Sequence, residues 1–486
     1  MSEIKVNKIS PRANCGTVQL GDSGDTITIP SGATITNSGT ANGFGATGAV
    51  NWQTTPKTAT FTATAGEGYF CNTTGGAFEV DLPAGSAGDI IAVQDYNNTF
   101  DTYSLTVDPN GTEKINGGDA GADITLSTEG LGITFVYVDS TVGWRSVDSN
   151  EYATIGQTPA FIVASGGNSC GTSGDYKWHK FTGPGTLTVS CVGNPAGSDT
   201  VSYLVVAGGG GGGGSNSPPG SPYSSGGGGG AGGLREGLGT NDSYTGTPLR
   251  ATTGVPVAPG GYPIAVGGGG PAGPGTGNGG KGIDSSFGPI TSTGGGFGAY
   301  RESPTTAGPG GSGGGGGGLE TGAGAGQAST KGTGNDPATS PPQGSDGGDG
   351  SGASPPQAFP VVGANGGGGG GATTVGANGV FPKGGNGGAG GTTSIDGTPT
   401  AYAGGGGGGV YVCGGCAGAA GSGTGGTGGG GPGGPAGGST SPGAGQAGTI
   451  NTGGGGGGGS TQGPCSTARG GGAGGSGIVI VRYKYQ

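Results

Sequence analysis

The chain has 486 residues, of which 139 are glycine and only 9% are charged, and its formal net charge is −11. The glycines follow no strict Gly-X-Y period, which excludes a collagen triple helix, and the sparse, net-negative charge excludes the basic footprint that nucleic-acid binding needs. The cysteines, Cys15, Cys71, Cys170, Cys191, Cys413, Cys416 and Cys465, are odd in number and scattered, so mostly free thiols are expected in place of a disulfide framework.

The opening "MSEIKVNKIS" alternates polar and apolar residues and lacks the apolar core of a secretory signal. Runs such as "AFIVA" and "GIVIV" fall far short of the ~20 residues a membrane-spanning helix requires, so a soluble chain without membrane insertion is expected. Residues 1–50, "TVQLGDSGDTITIPSGATITNSGTANGFG" and its lead, carry β-branched pairs separated by Gly, Ser, Asp and Pro. Strands so short bury a core only when several chains wind together, which predicts a trimeric β stalk. Residues 51–150 change to longer alternating segments, "TATFTATAGEGYF", "DIIAVQDY" and "GITFVYVDS", the pattern of a compact all-β domain. Phe135 and Trp144 are expected in its core, and Asp108 to Gly111, "DPNG", is a turn because Asn and Gly tolerate positive φ.

Residues 151–207 read as a small β domain leading into the glycine-rich zone. Its "DYKWHKF" segment points Tyr176, Trp178 and Lys180 one way and Lys177, His179 and Phe181 the other by strand parity. Glycine then dominates 208–486, in runs at Gly208–Gly214, Gly226–Gly230, Gly313–Gly318, Gly366–Gly371, Gly404–Gly409 and Gly453–Gly459. A flexible linker has no reason to be bracketed by two apolar strands. Pairing of Ser202–Ala207 with Ile478–Tyr483 would make the zone one closed excursion from a sheet.

Ordering a glycine backbone costs about 1–2 kcal/mol with no side-chain burial to offset it. The compensation has to come from main-chain hydrogen bonds of about 1 kcal/mol each, with weaker Cα–H contacts. A polyglycine II sandwich suits this best. With three residues per turn and ~3.1 Å rise, a seven-residue run spans about 22 Å, and only glycine lets such helices pack closely enough to bond on every side. The fold class read from the residues is therefore all-β with essentially no α-helix: an oligomeric stalk (1–50), an all-β domain (51–150), a small β domain (151–207) and a polyglycine II sandwich (208–486) closed by a strand at 478–483. The segments "SNSPPGSPYSS", "LETGAGAGQASTKGTGNDPATSPPQGSDGGDGSGASPPQAFPVVGAN", "VYVCGGCAGAA" and "STQGPCSTAR" read as loops stiffened by proline on this scaffold.

The head "SEIKVNKISPR…LGDSGDTITIPSGATITNSGTA" and the bracket "SYLVVAGGGGGGG…SSFGPITSTGGG…GGSGIVIVRY" resemble the tail-fibre and adhesin proteins of tailed bacteriophages. The second half is similar to their glycine-rich receptor-binding domains, including the distal adhesins of T-even-type long tail fibres. The resemblance implies a homotrimeric virion component, assembled in the host cytoplasm beside other tail and fibre proteins. Its partner would be a bacterial surface receptor, an outer-membrane protein or a glycan, bound through loops at the far end of the sandwich without enzymatic chemistry.

If the first run leaves the sheet and the last returns to it, loops 215–225 and 460–469 lie at the end opposite the sheet, with 319–365 and 410–427 as further candidates. Tyr223, Pro222, Phe359, Tyr411, Arg469 and Gln462 are the receptor-contact candidates, because aromatic and Arg anchors dominate recognition surfaces. No catalytic residue, metal site or cofactor is expected. "GGKGID" at Gly279–Asp284 matches one calcium repeat whose site needs stacked copies. Cys413 and Cys416 lack a second CxxC, and His179 is the only histidine. Asp346 and Asp349, in what reads as a flexible loop, are poor carboxylates for glycan hydrolysis. The alternatives are another virion fibre on the head, a polyglycine II ice-binding or matrix protein, and, third, a capsule-degrading enzyme.

Overall fold

The computed structural model describes residues 50–147, 159–194, 196–217, 223–301, 306–320, 328–352, 363–412, 421–435, 443–462 and 466–486, with Val18, Gln19, Thr26 and Thr28. The chain divides into two compact units, Met1–Ala153 and Thr154–Gln486. The described residues hold no helix, so the architecture is all-β. The 1–50 stalk lies almost wholly outside them.

In the first unit the chain alternates between two sheets as it coils. β1 (Asn51–Lys57), β3 (Glu67–Cys71) and β5 (Ile90–Asp95) pair in parallel in one sheet. β2 (Phe61–Thr62), β4 (Phe78–Asp81) and β6 (Leu105–Asp108) do so in the other. β7 (Ile124–Leu126), β8 (Gly132–Asp139) and β9 (Gly143–Ser146) close it with antiparallel pairs to β6, β5 and β8. Strand parity sends Leu105 and Val107, and Ile133 and Phe135, into the interior. Trp144 is also fully buried there, and its indole Nε1 donates to Glu113 Oε2 at 3.0 Å. The turn after β6 uses Gly111 at φ +59°, a conformation that costs a side-chain-bearing residue but not glycine.

The second unit begins with β10 (Val163–Ser165), β11 (Ser169–Ser173), β12 (Tyr176–Phe181), β13 (Gly185–Cys191) and β14 (Thr200–Val206). Among the glycine runs follow β15 (Ser215–Ser217), β16 (Tyr223–Ser225), β17 (Leu234–Gly237), β18 (Arg250–Ala251), β19 (Val255–Pro256), β20 (Gly260–Ala265), β21 (Ser285–Phe287) and β22 (Ile290–Ser292). Then come β23 (Gly318–Glu320), β24 (Gly391–Thr393), β25 (Thr400–Tyr402), β26 (Tyr411–Val412), β27 (Thr461–Gln462), β28 (Ser466–Arg469) and β29 (Ile478–Lys484). The main sheet runs β11-β12-β29-β14-β17-β18. β14 and β29 are antiparallel neighbours, in register from Ser202 opposite Arg482 to Val206 opposite Ile478. Residues 208–477 therefore depart from one strand and return on the next.

Both faces of β14 and β29 are covered, which is why "YLVV" and "IVIV" are continuously apolar instead of alternating. Tyr203, Val205, Val479, Val481 and Tyr483 face a core shared with Ile162, Leu187, Ile264 and Phe287, from the sheet β10-β13-β20-β21-β22 and the segment before it. Leu204, Val206, Ile478 and Ile480 face Ala231, Leu234, Ala372, Ile395, Tyr402 and Ala403 at the base of the glycine zone. Near that face Arg482 is buried against Asp242, Nε to Oδ1 3.0 Å. Ser202 Oγ donates to the other carboxylate oxygen at 2.6 Å, and Arg482 Nη1 donates to the Ile395 carbonyl at 3.2 Å. His179, on the opposite parity, places Nδ1 2.7 Å from the Gly166 carbonyl, which can only accept, so Nδ1 carries the proton and Nε2 accepts from the Tyr483 hydroxyl at 3.1 Å.

Beyond the sheet the glycines form an array of threefold helices. Along Gly208–Gly214 the amides donate in rotation to three antiparallel segments: Gly208, Gly211 and Gly214 to Ile283, Gly280 and Gly277; Gly209 and Gly212 to Gly475 and Gly472; Gly210 and Gly213 to Gly230 and Gly227. Its carbonyls accept from three parallel ones, through Gly295 and Gly298, Gly270 and Gly273, and Gly456 and Gly459. A pleated strand reaches partners on two sides only; a period of three reaches all around the helix. The contacts leave no room for side chains. A Cβ on Gly208, Gly211 or Gly214 would run into the carbonyls of Gly268, Pro271 and Pro274, and one on Gly210 or Gly213 into those of Gly296 and Ala299.

Much of what reads as loop is array. Residues 328–335 and 344–352 bond to the run at 313–318, as in Ser329 and Gly332 donating to Gly317 and Gly314, and Gly313 and Gly316 donating to Ser345 and Gly348. Gly423 and Gly426 donate to Gly408 and Gly405. The reading of 319–365 and 410–427 as continuous loops is corrected accordingly: helices at the array's rim need glycine only where they face a neighbour, so Ser, Thr, Asp and Lys fill the outward positions.

Two outcomes follow from this packing. Gly210→Ala is expected to cost about 3 kcal/mol or more, since its Cβ would overlap fixed backbone. Gly268→Ala, whose Cβ would meet only Ile283 Cδ1 at 3.8 Å, is expected to stay within about 1 kcal/mol of the native protein in denaturant titration. His179 has its pKa lowered, first by burial and then by the Lys177 charge, against the opposing pull of the Gly166 carbonyl. A base whose folded pKa lies below its unfolded value of 6.5 adds stability that is complete above that pH and is lost as pH falls below it. NMR of this single imidazole should therefore titrate below 6.5, and His179→Gln should flatten the loss of stability between about pH 7 and 5.5.

Candidate functional site

The array has two ends. At one, Val206 and Ile478 hand the chain to and from the main sheet. At the other, the runs ending at Gly214, Gly409 and Gly459 and those beginning at Gly226, Gly366 and Gly470 meet a cap of short strands. β15 pairs with β28, β16 with β23, and β26 with β27. At this end the glycine runs give way to side-chain-bearing residues, and some of their hydroxyls take up backbone amides and carbonyls. Ser460 Oγ accepts from the Val410 amide at 3.0 Å and donates to the Gly434 carbonyl at 2.6 Å. Ser224 Oγ accepts from the Asn216 amide at 3.1 Å, and Thr461 Oγ1 donates to the Ser224 carbonyl at 2.9 Å.

Four of the sequence-selected residues lie on the short strands of this cap, and two of them are in contact. Tyr223 on β16 and Tyr411 on β26 stack with ring centroids 4.6 Å apart and planes 9° apart. Tyr223 is half-buried, whereas Tyr411 is only 4% exposed. The Tyr411 amide donates to the Ala364 carbonyl, and the residue lies opposite Thr461. Its ring is thus the support that holds Tyr223 in place. Gln462, opposite Val412, and Arg469, opposite Ser215, are half-buried. Arg469 Nε is enclosed and has no hydrogen-bond partner among the described residues. Pro222 and Phe359 lie outside the described residues, as do Cys15, Cys413, Cys416 and Cys465.

The remaining motifs have structural work. Asp346 and Asp349 sit on the rim helix at 344–352, where their Oδ1 atoms accept the amides of Gly334 and Lys331, each at 2.9 Å. Lys331 Nζ lies 3.2 Å from Asp346 Oδ2. Asp284 of "GGKGID" accepts the Gly294 amide at 2.8 Å. The described cysteines, Cys71, Cys170 and Cys191, are free; burial pushes the Cys71 thiol up to about 12.

Sequence reasoning missed the turn Val380–Phe381–Pro382–Lys383. Val380 and Lys383 exchange amide-to-carbonyl bonds at 3.1 and 2.7 Å across it, and Gly384 donates onward to Gly421. Val380 is 65% and Phe381 41% exposed, although Phe381 lies close against Gly363. The signal was present as "GVFPKGG", an apolar trio and a cation amid glycine. Gly379 before it and Gly384 and Gly385 after it give the stretch the same texture as the surrounding scaffold.

A family model described as a glycine-rich domain matches residues 181–484. No curated protein matches the chain. The match spans β14, the array, its cap and the whole of β29, the scaffold just described. The stacked tyrosines supply a test of the cap: a double-mutant cycle with Tyr223→Ala and Tyr411→Ala should show about 0.5–1.5 kcal/mol of coupling. Tyr411→Ala should be the costlier single change, by equilibrium unfolding.

Proposed function

This chain belongs to the glycine-rich domain family, and on that premise we propose that it is a tail-fibre or adhesin component of a tailed bacteriophage. In this reading it recognises a receptor on the bacterial surface through the segments displayed at the cap, and it does so without chemistry. The single observation that supports this best is the stacking of half-buried Tyr223 on the buried Tyr411 in a cap whose other short strands carry Gln462 and Arg469. A rigid frame presents an aromatic ring, an amide and a guanidinium at one end, the side-chain types that carry recognition. The frame is rigid because its bonds link segments far apart in sequence, so the displayed residues lose little further entropy on binding.

The receptor would be an outer-membrane protein or a glycan. The chain would act as a homotrimer, with the first unit joining it to other tail and fibre proteins of a virion assembled in the host cytoplasm.

Adsorption competition tests the reading. The purified chain should block phage adsorption to host cells, and Tyr223→Ala with Arg469→Ala should lose at least tenfold in blocking potency while remaining folded at the assay temperature. Failure to compete, with thermal hysteresis in ice-growth measurements, would favour an ice-binding scaffold instead. Release of reducing sugar from capsular polysaccharide would identify an enzyme.

A further inference from the structure

We propose that the cleft between the rim segments 374–380 and 383–390 binds an acidic saccharide. The cleft is shallow and open to solvent, with a volume of about 300 Å³, and is lined by Ala377, Asn378, Val380, Pro382, Lys383 and Asn386, with the glycine backbone at 384–385. It lies on the flank of the array, and the inference stands whether or not the cap contacts a receptor.

The two asparagines give the cleft its chemistry. Asn378 Oδ1 accepts the Asp349 amide at 2.9 Å, and Asn386 Oδ1 accepts the Thr424 amide at 3.0 Å. Each bond ties the carbonyl end of the side chain to a neighbouring helix. The carboxamide orientation follows, because a backbone N–H can be met only by the oxygen. Both Nδ2 groups are left as donors on side chains that are exposed, at positions set by the array and not by free rotation.

Between them stands Lys383, exposed, with no carboxylate paired to it among the described residues. Its backbone is pinned by the Val380 exchange and its stem lies beside Gly421. The polar side chains thus offer donors and one positive charge, while each asparagine oxygen is already engaged with a backbone amide. A complementary ligand carries acceptors and an anionic group. Val380 and Pro382 add apolar wall, which a bare inorganic anion would leave unused and the C–H faces of a pyranose would cover. A sugar bearing a carboxylate or a phosphate meets all three requirements.

The test uses the full chain and four probes in calorimetric titration: a hexuronic-acid oligosaccharide, a hexose phosphate, a neutral oligosaccharide of the same length, and inorganic phosphate. Binding of either acidic sugar, at least tenfold tighter than the neutral one, is expected, and which of the two binds identifies carboxylate or phosphate as the anionic group. Lys383→Gln should weaken it at least tenfold. Asn386→Asp should do the same while keeping the melting temperature, because the carboxylate still accepts the Thr424 amide but no longer donates. Four results would overturn the proposal: no binding by either acidic sugar at millimolar concentration, equal binding of the neutral sugar, equal binding of inorganic phosphate, or unchanged affinity in both variants.

Discussion

A peptide amide withdrawn from water has to find a carbonyl, and in residues 208–477 that one demand organises everything else. The threefold twist turns successive amides toward different neighbours, so Gly208, Gly209 and Gly210 bond to segments near 283, 475 and 230 in turn. With net gains of only about 1 kcal/mol per bond against an ordering cost that is highest for glycine, the helices have to bond nearly everywhere. Nearly everywhere is possible only if they approach to a distance that excludes a Cβ. Glycine is here the material of the interior, in the role that leucine and valine play in the sheet beneath it.

The same constraint explains where side chains appear. On the rim, Asn378, Asn386, Asp284, Asp346 and Asp349 each turn a side-chain oxygen onto an amide that lacks a helix beyond it. At the ends, a serine hydroxyl does so and a threonine hydroxyl donates to a carbonyl. Groups recruited to finish the scaffold's hydrogen bonding thus become its outward chemistry. Asparagine is the clearest case, since its oxygen serves the scaffold while its nitrogen is left facing solvent.

How much of this was legible depended on how local the signal was. The apolar brackets around Tyr203–Val206 and Ile478–Val481 are continuous runs, and continuous runs bounded by glycine speak for buried strands. Phe135 and Trp144 sit in alternating segments that point them inward. The unbroken glycine runs spoke for helices that touch others on all sides. The rim was harder, because "STKGTGND" and "GSDGGDGSG" keep glycine only at positions facing a neighbour and otherwise resemble linker. Which segments neighbour which is invisible in a sequence whose core residues are identical. Nothing in Tyr223 and Tyr411, separated by most of the array, announced that they stack. Nor did Tyr411 announce that it would be enclosed, since burial at the cap is decided by three-dimensional neighbours such as Ala364 and Thr461.

The pairing of β14 with β29 has a temporal meaning. The first glycine run has partners near 227–230, but others at 456–459 and 472–475 lie far along the chain, and β14, flanked by β17 on one edge, gains its other neighbour only from Ile478–Lys484. Contacts of such long sequence separation form late and slowly. Stiffness is thus a property of the closed excursion as a whole, because its first run and β14 are held by segments from its far end.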